Sequence, residues 1–599
     1  MPAPLAAYSQ RLADRRAEER RWSRIDAGLA YARLAVFAVG ALLVLAIFRG
    51  LASPWLLVVP VVAFGILMQR HDRVLRRRTA ALRAIAFYQR GIARIEDVWA
   101  GTGESGERFR DDHHLYANDL DLFGNGSLFQ LLSIAATPAG EETLAGWLKH
   151  PAGPDEIRAR QAAVTELTPL LDLRESLARA ALDVRADVHT GPLLTWAEQP
   201  RQLHPQWLAW ISRAFTAAVI ATIAFFALTD DVRPLLVVLA AQSLFTWPQL
   251  RRIVHVLHGA EAVTRDLETL SRLLSRIESE AFEAPRLREL QQRLSGGSEG
   301  VSASRAIRRL EWLVEINDWQ HNNVFLIVAL VFLVGTHLAW AIESWRRRHG
   351  AFIRQWLEAA GEFEALASLS AYRYEHPDDP FPEIATDHNA RFEGSSLGHP
   401  LLPSARMVRN DVALDDTTRL LVISGSNMSG KSTLLRTIGA NAVLAFAGAP
   451  VRAASLRLSP MAIGATLRIQ DSLLEGRSRF YAEITRIREL ADVARGQRPL
   501  LFLLDELFHG TNSHDRLVGA TGVLRSLLDR GAIGLITTHD LALTAIADDL
   551  GTRAANVHFE EWFDAGEMRF DYRLKPGRVT RSNALALMRA VGLEVDSDG

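Results

Sequence analysis

Gly425-Ser426-Asn427-Met428-Ser429-Gly430-Lys431-Ser432-Thr433 is the stretch on which the reading turns. It follows an apolar run, Leu420-Leu421-Val422-Ile423, and leads into Leu434-Leu435-Arg436-Thr437-Ile438. Strand, glycine-rich turn and helix in that order form the setting of a phosphate-binding loop, and the spacing G-x-x-x-x-G-K-S is complete. Gly425 and Gly430 allow backbone conformations that strain other residues. The N–H groups of the turn and the helix N-terminus then face phosphate oxygens. In such a loop Lys431 reaches the β- and γ-phosphates and the Ser432 hydroxyl ligates Mg²⁺. A chance glycine turn explains the residues less well, because all three elements stand in register.

A second half of the site follows. Leu500-Leu501-Phe502-Leu503-Leu504 is a continuous apolar run, as expected of a buried parallel strand, and it ends in Asp505-Glu506. An acid at such a strand end holds the Mg²⁺ shell, and the next carboxylate polarises the attacking water. Ile533 to Thr538 reads as another buried strand, ending near His539, which is placed to sense a γ-phosphate. The plain alternatives are a solvent-facing acidic strand end and a structural histidine.

These residues resemble the MutS family. Gly425 to Thr433 is similar to its version of the loop, with Asn-Met before the second glycine. Leu504-Asp505-Glu506-Leu507-Phe508-His509-Gly510-Thr511-Asn512 resembles the segment that runs from its acidic strand end onward. Gly476 to Ile484 resembles its signature segment, with Arg479 where the family has threonine. Leu397-Gly398-His399-Pro400 and Val408-Arg409-Asn410-Asp411 resemble the lead-in that flanks the adenine. The resemblance covers residues 385–592. It implies an α/β P-loop domain of the ABC type and a Mg²⁺-dependent ATPase. Glu506 and His539 are then catalytic. Asn410 and the whole stretch Gly425 to Thr433 bind ATP, and Ser432 and Asp505 hold the metal. Ser478 is supplied to the nucleotide of a partner copy, so a homodimer is expected.

Lys and Arg number 68 against 69 Asp and Glu, a net charge of −1, and there are no cysteines. A protein gripping long duplex DNA by phosphate neutralisation usually carries a basic domain or stripe. The balance gives none, so DNA enters only as a partner the family suggests, without mismatch specificity. The absence of cysteine excludes disulfides, thiolate metal sites and cysteine nucleophiles.

Residues 1–29 are polar and arginine-rich and do not read as a secretory signal. Residues 30–70 hold two apolar runs, Leu34 to Phe48 and Leu51 to Gln69, split by Arg49-Gly50 and followed by Arg70, Arg73 and Arg76 to Arg78. Arginines at both outer ends predict a membrane hairpin with cytoplasmic termini. Residues 208–250 predict a second hairpin: Ala214 to Leu228 and Pro234 to Leu250 are uncharged, joined by Thr229 to Arg233 and closed by Arg251-Arg252. A fifth apolar stretch, 324–342, is long enough to cross. Crossing would carry Lys431 and Asp505 away from ATP, so it is read as a buried lever helix or one lying against the membrane. The expected location is the inner cell membrane with the ATPase in the cytoplasm.

Residues 80–207 read as helical, and Asp119 to Leu132 with Thr137-Pro138-Ala139-Gly140 resembles the start of the MutS core. Residues 251–380 read as a helical lever. Leu270, Leu273, Leu274 and Ile277 mark one face of a helix, read as a plain core face. Leu294-Ser295-Gly296-Gly297-Ser298 resembles an ABC-transporter signature but precedes the loop, and is read as a turn. Pro377 and Pro380-Phe381-Pro382 read as a linker. The first soluble stretch is too short and too helical for the mismatch-reading and connector domains of repair MutS proteins. Alternatives are an ABC-type transporter, which expects longer and more numerous spans, and a membrane scaffold with a nucleotide switch.

Overall fold

The protein is described from a computed structural model covering residues 3–181, 190–295, 302–319, 323–386, 389–426, 428–468, 479–508, 513–564 and 567–579. A mostly helical N-terminal region leads into a C-terminal α/β domain.

Two long helices, α1 (Ala3–Phe48) and α2 (Val58–Ile95), form an antiparallel pair. The arginine-rich start and the first apolar run therefore belong to one helix. The polar end of the pair is anchored: Tyr8 of α1 and Tyr88 of α2 are fully buried, and Arg94 of α2 makes two 2.5 Å hydrogen bonds to Glu375. The apolar end is bare, with Leu34, Phe37, Leu42 and Phe48 exposed.

The short helices α3 (Leu128–Leu132), α4 (Pro138–Lys149), α5 (Pro154–Leu167), α6 (Leu171–Ala181) and α7 (Thr190–Glu198) follow. Ser127 and Thr137 cap α3 and α4 through their hydroxyls. Next come α8 (Trp207–Thr229), α9 (Arg233–Thr246), α10 (Leu250–Ser279), α11 (Pro285–Ser295), α12 (Ala303–Trp319), α13 (Asn323–Val331) and α14 (Val334–Glu375). Leu270, Leu273, Leu274 and Ile277 are buried, as the periodicity predicts. Gly361 lets α14 cross α4 closely: a Cβ there would lie 2.6 Å from the Ala139 carbonyl oxygen.

Among the described residues, three helical segments are long and apolar enough to cross a membrane: Ala3–Phe48, Pro54–Ile95 and Trp207–Thr229. The return limb of the second hairpin is helical throughout: α9 passes through one 3₁₀ turn, Trp247–Gln249, directly into α10. One expectation needs correction: the stretch 324–342 is not one helix. It breaks at Phe332-Leu333, where Leu333 adopts φ 53°, between the nine-residue α13 and the start of α14. The Gln242 side-chain amide donates to the carbonyls of Leu330 and Val331, and the Thr216 hydroxyl donates to that of Phe332. Both limbs of the hairpin thus satisfy carbonyls that the break releases.

The α/β domain holds β1 (Glu383–Ile384), β2 (Phe392–Leu397), β3 (Asn410–Leu414), β4 (Leu420–Ser424), α15 (Lys431–Ala447), β5 (Ser455–Leu458), β6 (Ala462–Thr466), α16 (Arg479–Val493), β7 (Leu500–Asp505), α17 (Ser513–Asp529), β8 (Ile533–Thr538), α18 (Ile546–Leu550), β9 (Ala554–Asp564) and β10 (Glu567–Pro576). The larger sheet has the order β10-β9-β4-β8-β7-β6, parallel except for β10. The smaller has the order β1-β5-β2-β3. β4 and β8 are buried along their whole length and β7 up to Asp505, as a parallel sheet covered on both faces requires. The proline segment is clamped instead of free: Val451 N–H bonds to Pro380 O at 2.9 Å, and buried Asp379 pairs with Arg452 at 3.0 Å. Part of the expected signature-like turn (296–298) lies outside the described residues.

Candidate nucleotide site

Parallel strands place their carboxyl ends on one edge, and ligands of open α/β sheets gather there. β4, β8 and β7 are neighbours, so the turn after β4, the Asp505-Glu506 pair and the end of β8 share that edge. Gly430 starts α15 with φ 101°, a conformation a side chain would strain. Tyr572 crowds the same glycine, 3.1 Å from where a Cβ would lie.

The Lys431 ammonium folds over the turn and donates to the carbonyls of Gly425 and Ser426, both at 2.8 Å. Burial lowers its pKa, and the carboxylates of Glu506, Asp505 and Glu561 oppose that effect. The Ser432 hydroxyl donates to Asp505 Oδ2 at 2.6 Å. The Thr537 hydroxyl donates to the other oxygen of Asp505 and accepts from the Glu506 N–H at 3.2 Å. Glu506 itself has φ 49°, and its carboxylate meets His539 Nδ1 at 3.1 Å. Ser426 donates to Glu561, and the Phe508 N–H donates to Glu483 at the base of α16.

A cavity of about 770 Å³ opens on this edge, lined by Lys431, Ser432, Asp505 and Glu506 on one side and by His399, Asn410 and Tyr572 on the other. Asn410 ties the two sheets together, donating to Tyr572 O at 3.0 Å and accepting from Leu574 N–H at 2.7 Å. Burial holds His399 down to about 4, so its ring is neutral, and Nδ1 accepts from Leu401 N–H. Among the described residues no group of three or more His, Asp or Glu forms a protein-only metal site. A hydroxyl and a carboxylate at 2.6 Å are hard oxygen donors of the kind Mg²⁺ takes when substrate phosphates complete its shell, so the residues fit that ion. The Ser429 hydroxyl is buried in the turn and has no hydrogen-bond partner among the described residues.

Residues 421–595 match the family model described as MutS domain V. The chain is MutS-related through this domain. It is 37% identical over 205 residues to the endonuclease MutS2 of Thermus thermophilus, covering 34% of this chain and 26% of that protein. It is 35% identical over 240 residues to the DNA mismatch repair protein MutS 2 of Halobacterium salinarum, covering 39% and 27%. These matches span about a quarter of the length of those relatives.

Within the MutS-type domain, Gly425, Ser426, Met428 to Thr433, Asn410, Asp505, Glu506 and His539 gather at the one edge. Asn427 and Ser478 lie outside the described residues. Thr537, Glu561, Glu483 and Tyr572 join the site without having been singled out in the sequence. The Thr537-Thr538 pair directly before His539 was the available signal, because hydroxyls at a buried strand end face whatever that edge holds. Asp119 connects the helical region to the domain: its carboxylate accepts from the N–H groups of Leu467 and Arg468 at 2.8 and 2.7 Å.

Proposed function

We propose that this chain is a membrane-anchored ATPase that binds and hydrolyses ATP between two copies of its α/β domain and passes the resulting motion along α10, α12 and α14 to the membrane. The observation that carries the reading is the convergence of Lys431, Ser432, Asp505 and Glu506 on one cavity at the carboxyl edge of the sheet. Lys431 exchanges its bonds to the turn carbonyls for bonds to phosphate oxygens. Ser432 and Asp505 hold Mg²⁺, which when bound neutralises charge on the phosphates. Glu506 accepts a proton from the attacking water, while His539 orients that carboxylate and reads the γ-phosphate. Asn410 and Tyr572 frame the base, and Ser478 reaches the nucleotide of the second copy.

The exposed apolar ends of α1 and α2 and the composition of α8 support the anchor. Arginines beside these runs favour a cytoplasmic ATPase. The closed and open dimers must differ in nucleotide affinity for ATP to shift between them. DNA is the ligand suggested by the names of the relatives.

The test is ATP hydrolysis by the detergent-solubilised full chain beside Glu506→Gln, with and without duplex, branched and single-stranded DNA. Activity lost in the variant supports the enzyme, and stimulation by one DNA form identifies a nucleic-acid partner. Activity indifferent to every DNA removes DNA from the proposal. Equal activity in both proteins, or none in either, overturns the hydrolytic reading.

A further inference from the structure

A second cavity, of about 720 Å³, lies where the base of the second hairpin meets α12 and α14, away from the nucleotide chemistry. Its wall is basic. Arg201 precedes α8, Arg213 lies in its second turn, Arg309 comes from α12, and Arg347 and Arg348 come from α14. Arg201, Arg213, Arg309 and Arg347 are exposed and make no salt bridge with any described residue. Glu343 is the one carboxylate among the lining residues, and Arg346 pairs with it.

Four indoles complete the wall: Trp210, Trp312, Trp340 and Trp345, the last donating its N–H to the Ala306 carbonyl at 2.7 Å. The Arg213 guanidinium stacks over Trp210 at 4.5 Å. The Trp340 indole N–H is buried without a hydrogen-bond partner among the described residues.

The cavity's depth is set by the hairpin. Arg213 is the last charge before the uncharged run Ala214 to Thr229. Sixteen residues of straight helix place it about 24 Å from Thr229, inside the near edge of a hydrocarbon core about 30 Å thick. Trp207, Trp210 and Trp247 are exposed around the same level, in the manner of an interfacial aromatic belt. His337, which lines the cavity, meets the Thr216 hydroxyl at 2.9 Å. The long Arg213 side chain reaches outward from that depth, so the basic wall stands at headgroup level.

We propose that this cavity binds the phosphate headgroup of an anionic phospholipid of the cytoplasmic leaflet, an inference that rests on the membrane-anchored reading. Guanidinium forks match phosphate oxygens two at a time. The indole N–H of Trp340 supplies one more donor, and the indole faces cover the glycerol and upper acyl carbons. A choline headgroup brings a cation against the arginines and is disfavoured. A cavity of about 720 Å³ holds one phosphate group and not the width of a duplex, although free phosphate shares the recognising chemistry.

The test uses the full chain. Flotation with vesicles of phosphatidylcholine, with and without one part in five phosphatidylglycerol, reads the anchor. Native mass spectrometry of the extracted protein then reads the retained lipid. The variants are Arg347→Gln alone and Arg213→Ala combined with Arg309→Ala and Arg347→Ala, with ATP hydrolysis as the fold control. The wild type is expected to float with both vesicles and to retain phosphatidylglycerol over phosphatidylcholine. The triple variant is expected to float and hydrolyse ATP as before, with retention weakened on the order of a hundredfold. Flotation with equal retention of both lipids, or retention unchanged in the variants, overturns the site and leaves the anchor standing. Binding of inorganic phosphate or glycerol 3-phosphate to the wild type without phosphatidylglycerol enrichment also overturns the lipid assignment. So does a loss of duplex DNA binding in the triple variant with lipid retention intact. A wild type that does not float removes the anchor, and the site with it.

Discussion

Ser432 Oγ donates to Asp505 Oδ2 across 2.6 Å, joining the start of α15 to the end of β7, 73 residues further along the chain. In the proposed reaction both groups would ligate the Mg²⁺ that accompanies ATP. Ser432→Ala removes one ligand and leaves the carboxylate. The Mg²⁺ concentration for half-maximal hydrolysis is expected to rise about 10- to 100-fold, with the folded domain unchanged. A magnesium titration that superimposes on the wild type would separate Ser432 from the metal.

The pairing of His539 with Glu506 at 3.1 Å assigns the two residues unequal parts. Glu506→Gln keeps the shape and removes the base, so kcat is expected to fall by about 10²- to 10⁴-fold while ATP binding persists. His539→Ala leaves the base but frees it, and its loss is expected to be smaller. Single-turnover hydrolysis beside equilibrium nucleotide binding distinguishes them. A larger loss from His539→Ala would make the imidazole the group that takes the proton.

The α/β domain was legible because its signals are local. Strand, glycine turn and helix follow one another between Leu420 and Ile438, and the acids stand at the end of an uninterrupted apolar strand. Packing across the fold was not legible. The Thr537-Thr538 pair marks hydroxyls at a strand end, but that Thr537 bridges Asp505 and the Glu506 N–H depends on β8 lying beside β7. The break at Phe332-Leu333 was hidden for a similar reason. An apolar run of that length reads as one helix, and the interruption is held by Thr216 and Gln242 from distant helices. The proline segment after α14 carries every sign of a linker, yet the buried Asp379–Arg452 pair fixes it.

Glu364 is a buried carboxyl in the helical core. It accepts from the N–H groups of Ala136 and Thr137 and from the Thr137 hydroxyl, but burial outweighs these bonds and raises its pKa from 4.5 to about 7. The folded chain then holds a proton that the unfolded chain releases above 4.5. Its contribution is complete below that pH and is lost as the pH rises to about 7, by about 3 kcal/mol across the window. Glu364→Gln has no proton to lose. The difference in unfolding midpoint between variant and wild type is expected to move in the variant's favour from pH 5 to pH 8. A constant difference would show that the carboxyl titrates normally.

Gly361 permits the crossing of α14 and α4, since an added Cβ meets the Ala139 carbonyl oxygen at 2.6 Å and its carbon at 2.7 Å. Both are backbone atoms in helices, so neither can step aside alone. Gly361→Ala gains helix propensity and yet is expected to destabilise the core by about 1–3 kcal/mol, lowering the thermal midpoint. Gly146, with open space at its Cβ position, is the control, and there alanine is expected to be neutral or stabilising. Equal behaviour at both glycines would mean that the crossing has room.

The break between α13 and α14 yields the last expectation. Leu333 is buried, and its φ of 53° is a conformation that costs a branched side chain about 1–2 kcal/mol. In the proposed membrane anchor the carbonyls of Val331 and Phe332 depend on the Gln242 and Thr216 donors, because no water would replace them there. Gln242→Leu with Thr216→Val removes these donors at nearly constant volume. The loss is expected to be about 0.6–1.7 kcal/mol per bond, enough to loosen the break without unfolding the chain. The chain has no cysteine, so Leu333→Cys supplies a unique thiol. In bilayer discs that thiol is expected to react slowly with maleimide in the parent background and several-fold faster in the double variant. Equal rates would mean that helix packing alone holds the break.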